Sequence, residues 1–383
     1  MTIDLASVLR PGDGVMPGQA TSEPQSLTEA LVAQRASFPG ATLFLGVNYS
    51  GIVRPEHADH LRLAAYCGAG ANRALADAGV LDIHPHPYSR FAALIRERRI
   101  PSDVVLVQVS PPNGRGEYSL GLSAEYLVPA LAGARAIIGE VNRQVPWTHS
   151  ERLLKKEDFA LLVESDRAPA AMPSKPFSDA EKAIARHAAA FIPDGATLEF
   201  GLGALPDAVC MELENRKRLK VHSGALGDGV VDLMKAGVVT DVDCGVLMGT
   251  RKLFEHAHEN PSIRLRSTEY THAPIVLHGI ERFVAINSAV EVDLTGQVNA
   301  EVAAGSYLGA VGGALDFIRA ANQSPGGVSL LLVRASRIVE QLSGPVATPR
   351  SEAGVVVTEL GAADLRGLTL AERRKRLSAI AKP

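Results

Sequence analysis

Short β-branched runs alternate with helix-patterned stretches along nearly the whole sequence, and this alternation limits the possible folds more than any other feature. The runs ATLFLGV (41–47), DVVLVQVS (103–110), ARAIIGEVN (134–142), ATLEFGLG (196–203), RFVAINSAVEVDL (282–294), GVSLLLV (327–333) and AGVVVTEL (353–360) are bounded by Gly, Pro or Asp. Continuous apolar runs of this length read as strands buried on both faces. Between them, EPQSLTEALVAQRA (23–36), YSRFAALIRERR (88–99), SDAEKAIARHAAAFI (178–192), LPDAVCMELENRK (205–217) and GDGVVDLMKAG (227–237) read as helices. Strands separated by helices need crossover connections, so the class is α/β with largely parallel sheets.

With 383 residues the chain is too long for one ordinary core, and two domains are expected. A Pro-rich, small-residue stretch over 164–177 reads as a linker. It divides the chain into 1–172 and 173–383. Ser178 then caps a helix, with Glu181 three residues on completing a capping box. The halves share a pattern: residues 10–31 and 192–213 each carry Asp-Gly before a strand, then a Gly turn, then a Pro near a helix start. Duplication of one domain and chance likeness between two α/β domains both account for this.

The net charge is −3 and no Lys/Arg block stands out, which excludes a phosphate-backbone binder as the first reading. The basic stretch 370–383 reads as one face of a terminal helix. Cys67, Cys210 and Cys244 have no metal-like spacing and read as free, core-filling thiols of a reducing compartment. His84 and His86 alternate with prolines and make no zinc site by themselves, so no metal is expected. The N-terminal stretch has no basic region followed by an apolar run, and no apolar stretch is long enough to span a bilayer. A cytoplasmic location, with no membrane partner, is expected.

Several segments carry chemistry-bearing residues. In FGLGALPDAV, Gly201 and Gly203 follow a strand and Pro206 opens a helix. The segment reads as a tight turn, or as a place where backbone approaches a phosphate or carboxylate. It lacks the third glycine of a dinucleotide fingerprint. In YLGAVGGALDF, Gly309, Gly312 and Gly313 precede a helix and serve either close packing or an oxyanion hole. His222, Ser223 and Asp228 suggest a triad. Adjacent strand residues point to opposite faces, however, so the triad is rejected and Asp228 is read as a helix N-cap. In STEYTHAPIVL, His272 precedes Pro274 in extended or turning backbone and is either a general base or a surface imidazole. Glu291 and Asp293 share a strand face before the TGQ turn, with Gln297, Asn299 and Glu301 beyond it. They read as a solvated hairpin, or as paired carboxylates for acid/base work.

Taken together, these blocks resemble the acetyl-CoA hydrolase/transferase family, which includes 4-hydroxybutyrate CoA-transferases. The resemblance rests on SEPQSLTEAL and DVVLVQVSPPNGRGEYSLGLSAEYL in the first half. In the second half it rests on GLGALPDAV, HSGALGDGVVDLMKAGVVT, LMGTRKLF, AINSAVEVDLTGQVNAE, GAVGGALDFIRAA and the run from SRIVEQLSG to ERRKRL. It implies two similar open α/β domains of the NagB/RpiA/CoA-transferase-like type. It also implies acyl-CoA as substrate, with a small carboxylic acid or water as acceptor, no permanently bound cofactor, and a homodimer.

In the family, a glutamate after a His-Ser pair attacks the thioester and an acyl-glutamyl anhydride forms. Here Gly224 follows His222-Ser223. In the family's Tyr-x-Asn-x-Pro segment, His272 stands at the asparagine's place. The expected catalytic set is therefore His272, acting on water or an acceptor in the space beside Gly224, with backbone N–H groups at Gly312 and Gly313 facing the oxyanion. A separate alternative is that Glu269 or Glu301 replaces the missing carboxylate. CoA is expected to meet Gly201, Leu202, Gly203, Ala204, Gly309 and Val311. Arg251 and Lys252 are either phosphate partners or a solvated helix face. The alternative function is a catalytically silent acyl-CoA-binding protein, or the non-catalytic subunit of a hetero-oligomeric transferase.

Overall fold

The structure is a computed structural model, and it describes residues 3–172 and 176–382. The chain divides into two compact units. Met1–His86, Arg90–Met172 and Gly245–Glu269 form the first; Pro87–Ser89, Pro173–Cys244 and Tyr270–Pro383 form the second. The expected boundary between 172 and 173 touches residues 173–175, which lie outside the described ones.

The first unit is built on a seven-stranded sheet. Its strands are β1 (Gly14–Pro17), β2 (Thr42–Leu45), β3 (Arg62–Ala65), β4 (Leu81–Ile83), β5 (Val104–Val109), β6 (Ala136–Asn142) and β7 (Leu161–Ser165). Their spatial order is β7-β6-β5-β1-β2-β3-β4, and every pairing is parallel. The fully buried run Val104–Val109 explains why β5 lies inside the sheet: six consecutive apolar or hydrogen-bonded side chains leave no solvated face. Leu27 and Leu31 of the helix Gln25–Ala33 pack with Leu43, Leu63, Val104 and Leu106 in one core. The chain runs outward from β1 to β4 and then returns to the other side of β1 as β5. In open parallel sheets such a reversal, here between β1 and β5, is where a ligand crevice forms at the carboxyl ends of the strands.

The second unit repeats this plan. Its strands are β8 (Thr197–Phe200), β9 (Leu219–Leu226), β10 (Val239–Leu247, leaving the unit after Cys244), β11 (Phe283–Ser288), β12 (Val328–Leu332), β13 (Val355–Thr358) and β14 (Gly361–Asp364). The order is β14-β13-β12-β11-β8-β9-β10. Pairings β8–β9, β8–β11, β11–β12 and β12–β13 are parallel, and the β13–β14 hairpin is antiparallel. The reversal here lies between β8 and β11. The amphipathic helix Ala314–Gln323 lays Phe317 and Ala321 on Phe283 and Ala285 of β11. The capping box at Ser178 forms as the residues require: Glu181 N donates to Ser178 Oγ, and Ser178 N donates to Glu181 Oε2. Thr369 and Glu372 repeat it on the C-terminal helix.

Candidate active site around His272

β9 carries His222, Ser223 and Gly224 toward its carboxyl end. The first two are buried and aim apart. His222 Nε2 lies 2.8 Å from Thr271 O, whereas Ser223 Oγ donates to Phe200 O at 3.1 Å and accepts from Phe200 N. The serine is thus a bracket between β8 and β9, and no His–Ser pair forms. Asp228 stands at the N-cap position of the helix Gly229–Lys235, but its side chain accepts no capping bond. Its role as a cap is corrected to that extent: the residue has helical φ and ψ, which turn its side chain away from the N–H groups it would cap.

His272 is buried, with 2% exposure, and the surface-imidazole reading is therefore wrong. It stands between two short helices, Thr268–Thr271 and Pro274–Leu277; Pro274 closes the first and opens the second. Its Nδ1 lies 2.8 Å from Thr271 Oγ1. Its ring packs at 4.5 Å from the Phe317 ring centroid and 5.1 Å from that of Tyr88. Tyr88 is held by two neighbours of the same wall. Tyr88 N donates to Gly312 O at 3.0 Å, and Ser89 donates through N and Oγ to Asp316.

The remaining side of the imidazole meets two glycines. A Cβ on Gly224 would stand 3.3 Å from Cε1 and 3.4 Å from Nε2, and one on Gly313 would stand 2.3 Å from Nε2. A Cβ at residue 313 would collide with the ring, whereas one at residue 224 would press on it closely. Burial, and then the neighbouring His222, push the His272 pKa down to about 3. The ring is a neutral imidazole at ordinary pH. If Nδ1–H donates to Thr271 Oγ1, the Nε2 lone pair faces Gly224 and Gly313.

The other expected residues take definite places. Gly201 follows β8 at the sheet's reversal, and a Cβ there would come within 2.7 Å of Asn287 Oδ1. Gly203 has φ of 115° and N-caps a helix that begins at Ala204, two residues earlier than Pro206 suggested. Leu202 is exposed. Gly309 packs against Ala300, whose carbonyl oxygen a Cβ would approach to 1.9 Å. Gly312, beyond Val311, has φ of 55°. Glu291 and Asp293 are buried rather than solvated. Glu291 accepts from Ser343 N and Oγ, and Asp293 from Thr295 and Gln297. Glu269 pairs with Arg96, and Glu301 accepts from Tyr307 Oη at 2.6 Å. Arg251 pairs with Glu255 on an exposed helix face.

Among the buried acids that escaped the sequence reading, one lies on the first strand of the second unit. Glu199 of β8 is 2% exposed, and burial pushes its pKa up to about 8 against hydrogen bonds from Asn287 Nδ2 (2.7 Å) and Ile286 N. A lone carboxylate in an apolar strand, two residues before a Gly turn, was the available signal.

With this geometry in hand, likeness to known proteins decides the family. Residues 249–383 match the acetyl-CoA hydrolase/transferase C-terminal domain. The 4-hydroxybutyrate coenzyme A transferase of Clostridium kluyveri is 35% identical over 95% of this chain and 90% of its own length. The chain belongs to the acetyl-CoA hydrolase/transferase family. Its fold follows solved structures closely. RipA from Yersinia pestis superposes with a TM-score of 0.93 at 29% identity, covering 99% of this chain and 92% of that one. The 4-hydroxybutyrate CoA-transferase of Porphyromonas gingivalis gives 0.81 at 30% identity with the same coverage. In this family member the ring of His272 is walled by Gly224, Gly313, Phe317 and Tyr88, all of the second unit.

Proposed function

We propose that this protein processes the CoA thioesters of small organic acids and that it favours hydrolysis over transfer. Its homologues include a CoA transferase, and its family name covers both activities. One observation carries the preference: a neutral imidazole at His272 lies directly against Gly224, where no carboxylate is present. An ionised carboxylic acid acceptor has no proton for a base to remove, whereas water does. In the proposed step, His272 Nε2 takes a proton from water and the hydroxide oxygen bonds to the thioester carbonyl carbon. The tetrahedral intermediate then collapses, the C–S bond breaks, and the CoA thiolate leaves with the proton held on the imidazole. Backbone N–H groups at Gly312 and Gly313 are proposed to receive the oxyanion. The loops 201–204 and 309–313 are proposed to meet CoA.

In the empty site a conjugate acid with a pKa near 3 makes a weak base. Negative charge arriving beside the ring, as an oxyanion or a thiolate, raises it. The same burial favours a second reading, in which the ring plugs the space beside Gly224 and the protein binds acyl-CoA without turnover. The domain division at 172/173, a homodimer and a cytoplasmic location belong to the proposal. Among the described residues no helix is long and apolar enough to cross a membrane.

The test is incubation with a panel of acyl-CoAs, with and without added carboxylic acids, following free thiol and new thioesters. Thiol release that needs no acid supports hydrolysis. New thioester formed only with an acid contradicts the preference, and binding without release favours the second reading.

A further inference from the structure

In the second unit, the residue before His272 holds both the backbone and one ring nitrogen of that histidine. Thr271 is buried at the end of the short helix Thr268–Thr271. Its hydroxyl oxygen lies 2.8 Å from His272 Nδ1, and its carbonyl oxygen lies 2.8 Å from His222 Nε2. A carbonyl oxygen only accepts, so His222 carries a hydrogen on Nε2 and donates it there. His222 is itself buried on β9, two residues before Gly224. Its ring packs against those of Tyr270 and Phe283, with centroids 5.6 and 6.3 Å away. The peptide linking Thr271 to His272 is thereby tied to the strand that carries Gly224.

A hydroxyl both donates and accepts, so the Thr271 contact fits either tautomer of His272. The surroundings of the other ring nitrogen decide between them. The ring is neutral, its pKa pushed down to about 3 by burial and then by His222, so one nitrogen carries a hydrogen and the other a lone pair. Among the described residues, the Thr271 contact is the one side-chain hydrogen bond that His272 makes. Nε2 faces Gly224 and Gly313. An N–H buried there has no protein acceptor and costs as much as a lost hydrogen bond, whereas a bare lone pair against glycine C–H groups costs less. A hydrogen on Nδ1 is met by the threonine oxygen. On this count the Nδ1–H tautomer is favoured about tenfold.

We infer that Thr271 is a positioning residue that sets His272 in its Nδ1–H tautomer and leaves the Nε2 lone pair turned toward Gly224 and Gly313. The inference rests on the proposed thioester cleavage for the part Thr271 plays in turnover, and on the local hydrogen bonds for the tautomer itself. A base needs a lone pair directed at the proton it takes, and the other tautomer presents an N–H there. When Nε2 gains a proton from water, Nδ1 keeps its hydrogen on the Thr271 oxygen, and no proton passes to the threonine. The hydroxyl is uncharged, so it orients the ring without the rise in basicity that a carboxylate partner would bring.

Nitrogen NMR of the full chain, isotopically labelled at histidine and free of substrate, tests this, because protonated and bare imidazole nitrogens resonate far apart. The resonances of His272 are those missing from His272→Gln. Wild type should show Nδ1 protonated and Nε2 bare. Thr271→Val keeps the shape and removes the hydroxyl, and should move His272 to a mixture of tautomers; Thr271→Ser should restore the wild-type pattern. In thiol release from acyl-CoA, Thr271→Val should lower kcat at least about twofold, the share of rings in the wrong tautomer, with KM unchanged. Thr271→Ser should recover it. A wild-type ring protonated on Nε2, or a tautomer unmoved in Thr271→Val, would overturn the inference, and the wild-type spectrum does so even if the valine variant fails to fold. The Nδ1–H tautomer in a protein that releases no thiol would uphold the tautomer assignment and remove the hydrolytic reading, so the two failures are distinguishable.

Discussion

His272 Nε2 lies so close to Gly313 that a Cβ on that glycine would stand 2.3 Å from it. Gly313→Ala should therefore destabilise the protein by about 1–3 kcal/mol, the usual cost of forcing extra atoms into a packed wall. The check is a thermal or urea melt. His272→Ala in the same background should restore most of the loss, because it removes the ring the methyl group meets. A Gly313→Ala protein as stable as wild type would mean that the ring is free to move aside.

Gly224 tells a parallel story with a looser fit. Its Cβ would meet the imidazole at 3.3–3.4 Å, so Gly224→Glu alone places a carboxylate against a ring already in the space. The single variant should gain no covalent chemistry. The double variant Gly224→Glu/His272→Asn should have room for the carboxylate, and incubation with acyl-CoA should then give an enzyme-bound CoA thioester detectable by intact mass. An adduct in the single variant would show that the ring does not block the position.

The pH dependence of stability has a sign set by His272. Its folded pKa, near 3, lies below the ordinary 6.5. The unfolded chain therefore takes up a proton as the pH falls through 6.5, while the folded protein does not. Stability should be lost between about pH 6.5 and 3, and by pH 5 this group alone costs about 2 kcal/mol. Denaturant melts of wild type and His272→Gln at pH 7 and pH 5 check it: the difference between the two proteins should shift toward the variant at pH 5.

Glu199 acts in the opposite direction. Its folded pKa, near 8, lies above the ordinary 4.5, so its favourable contribution is complete below pH 4.5 and is lost as the pH rises through 8. Glu199→Gln keeps the shape and removes the titration. It should stabilise the protein at pH 9 relative to pH 5 by at least about 1 kcal/mol, measured by urea melts at both values.

Much of this architecture was legible because it follows from pattern. Val104–Val109 and Val328–Leu332 are β-branched or apolar throughout and became interior strands, and Ser178 with Glu181 became the capping box. The edge strand Leu81–Ile83 and the short strand Arg62–Ala65 carried no such signature, since pairing with neighbours holds them more than their own composition does. At the site, the glycines were legible as positions where something approaches closely. Their grouping with His272 came from the family resemblance and not from the residues alone, because residues 224, 272 and 313 meet only through tertiary folding. The burial of His272, which removes the surface-imidazole alternative, comes from Tyr88 and Phe317, which lie far from it in sequence. Glu291 and Asp293 misled for a related reason, because Ser343, fifty-two residues from Glu291, supplies the bonds that make burial tolerable.

The central claim is that His272 performs the proton transfer in thioester cleavage, and the most direct measurement is acyl-CoA-dependent thiol release by His272→Ala, with acyl-CoA affinity measured on the same samples. A lost general base costs about 10²–10⁴-fold in rate. The account predicts a fall in turnover of at least about a hundredfold with binding largely retained. Turnover equal to wild type in His272→Ala would contradict it and place the chemistry on another group.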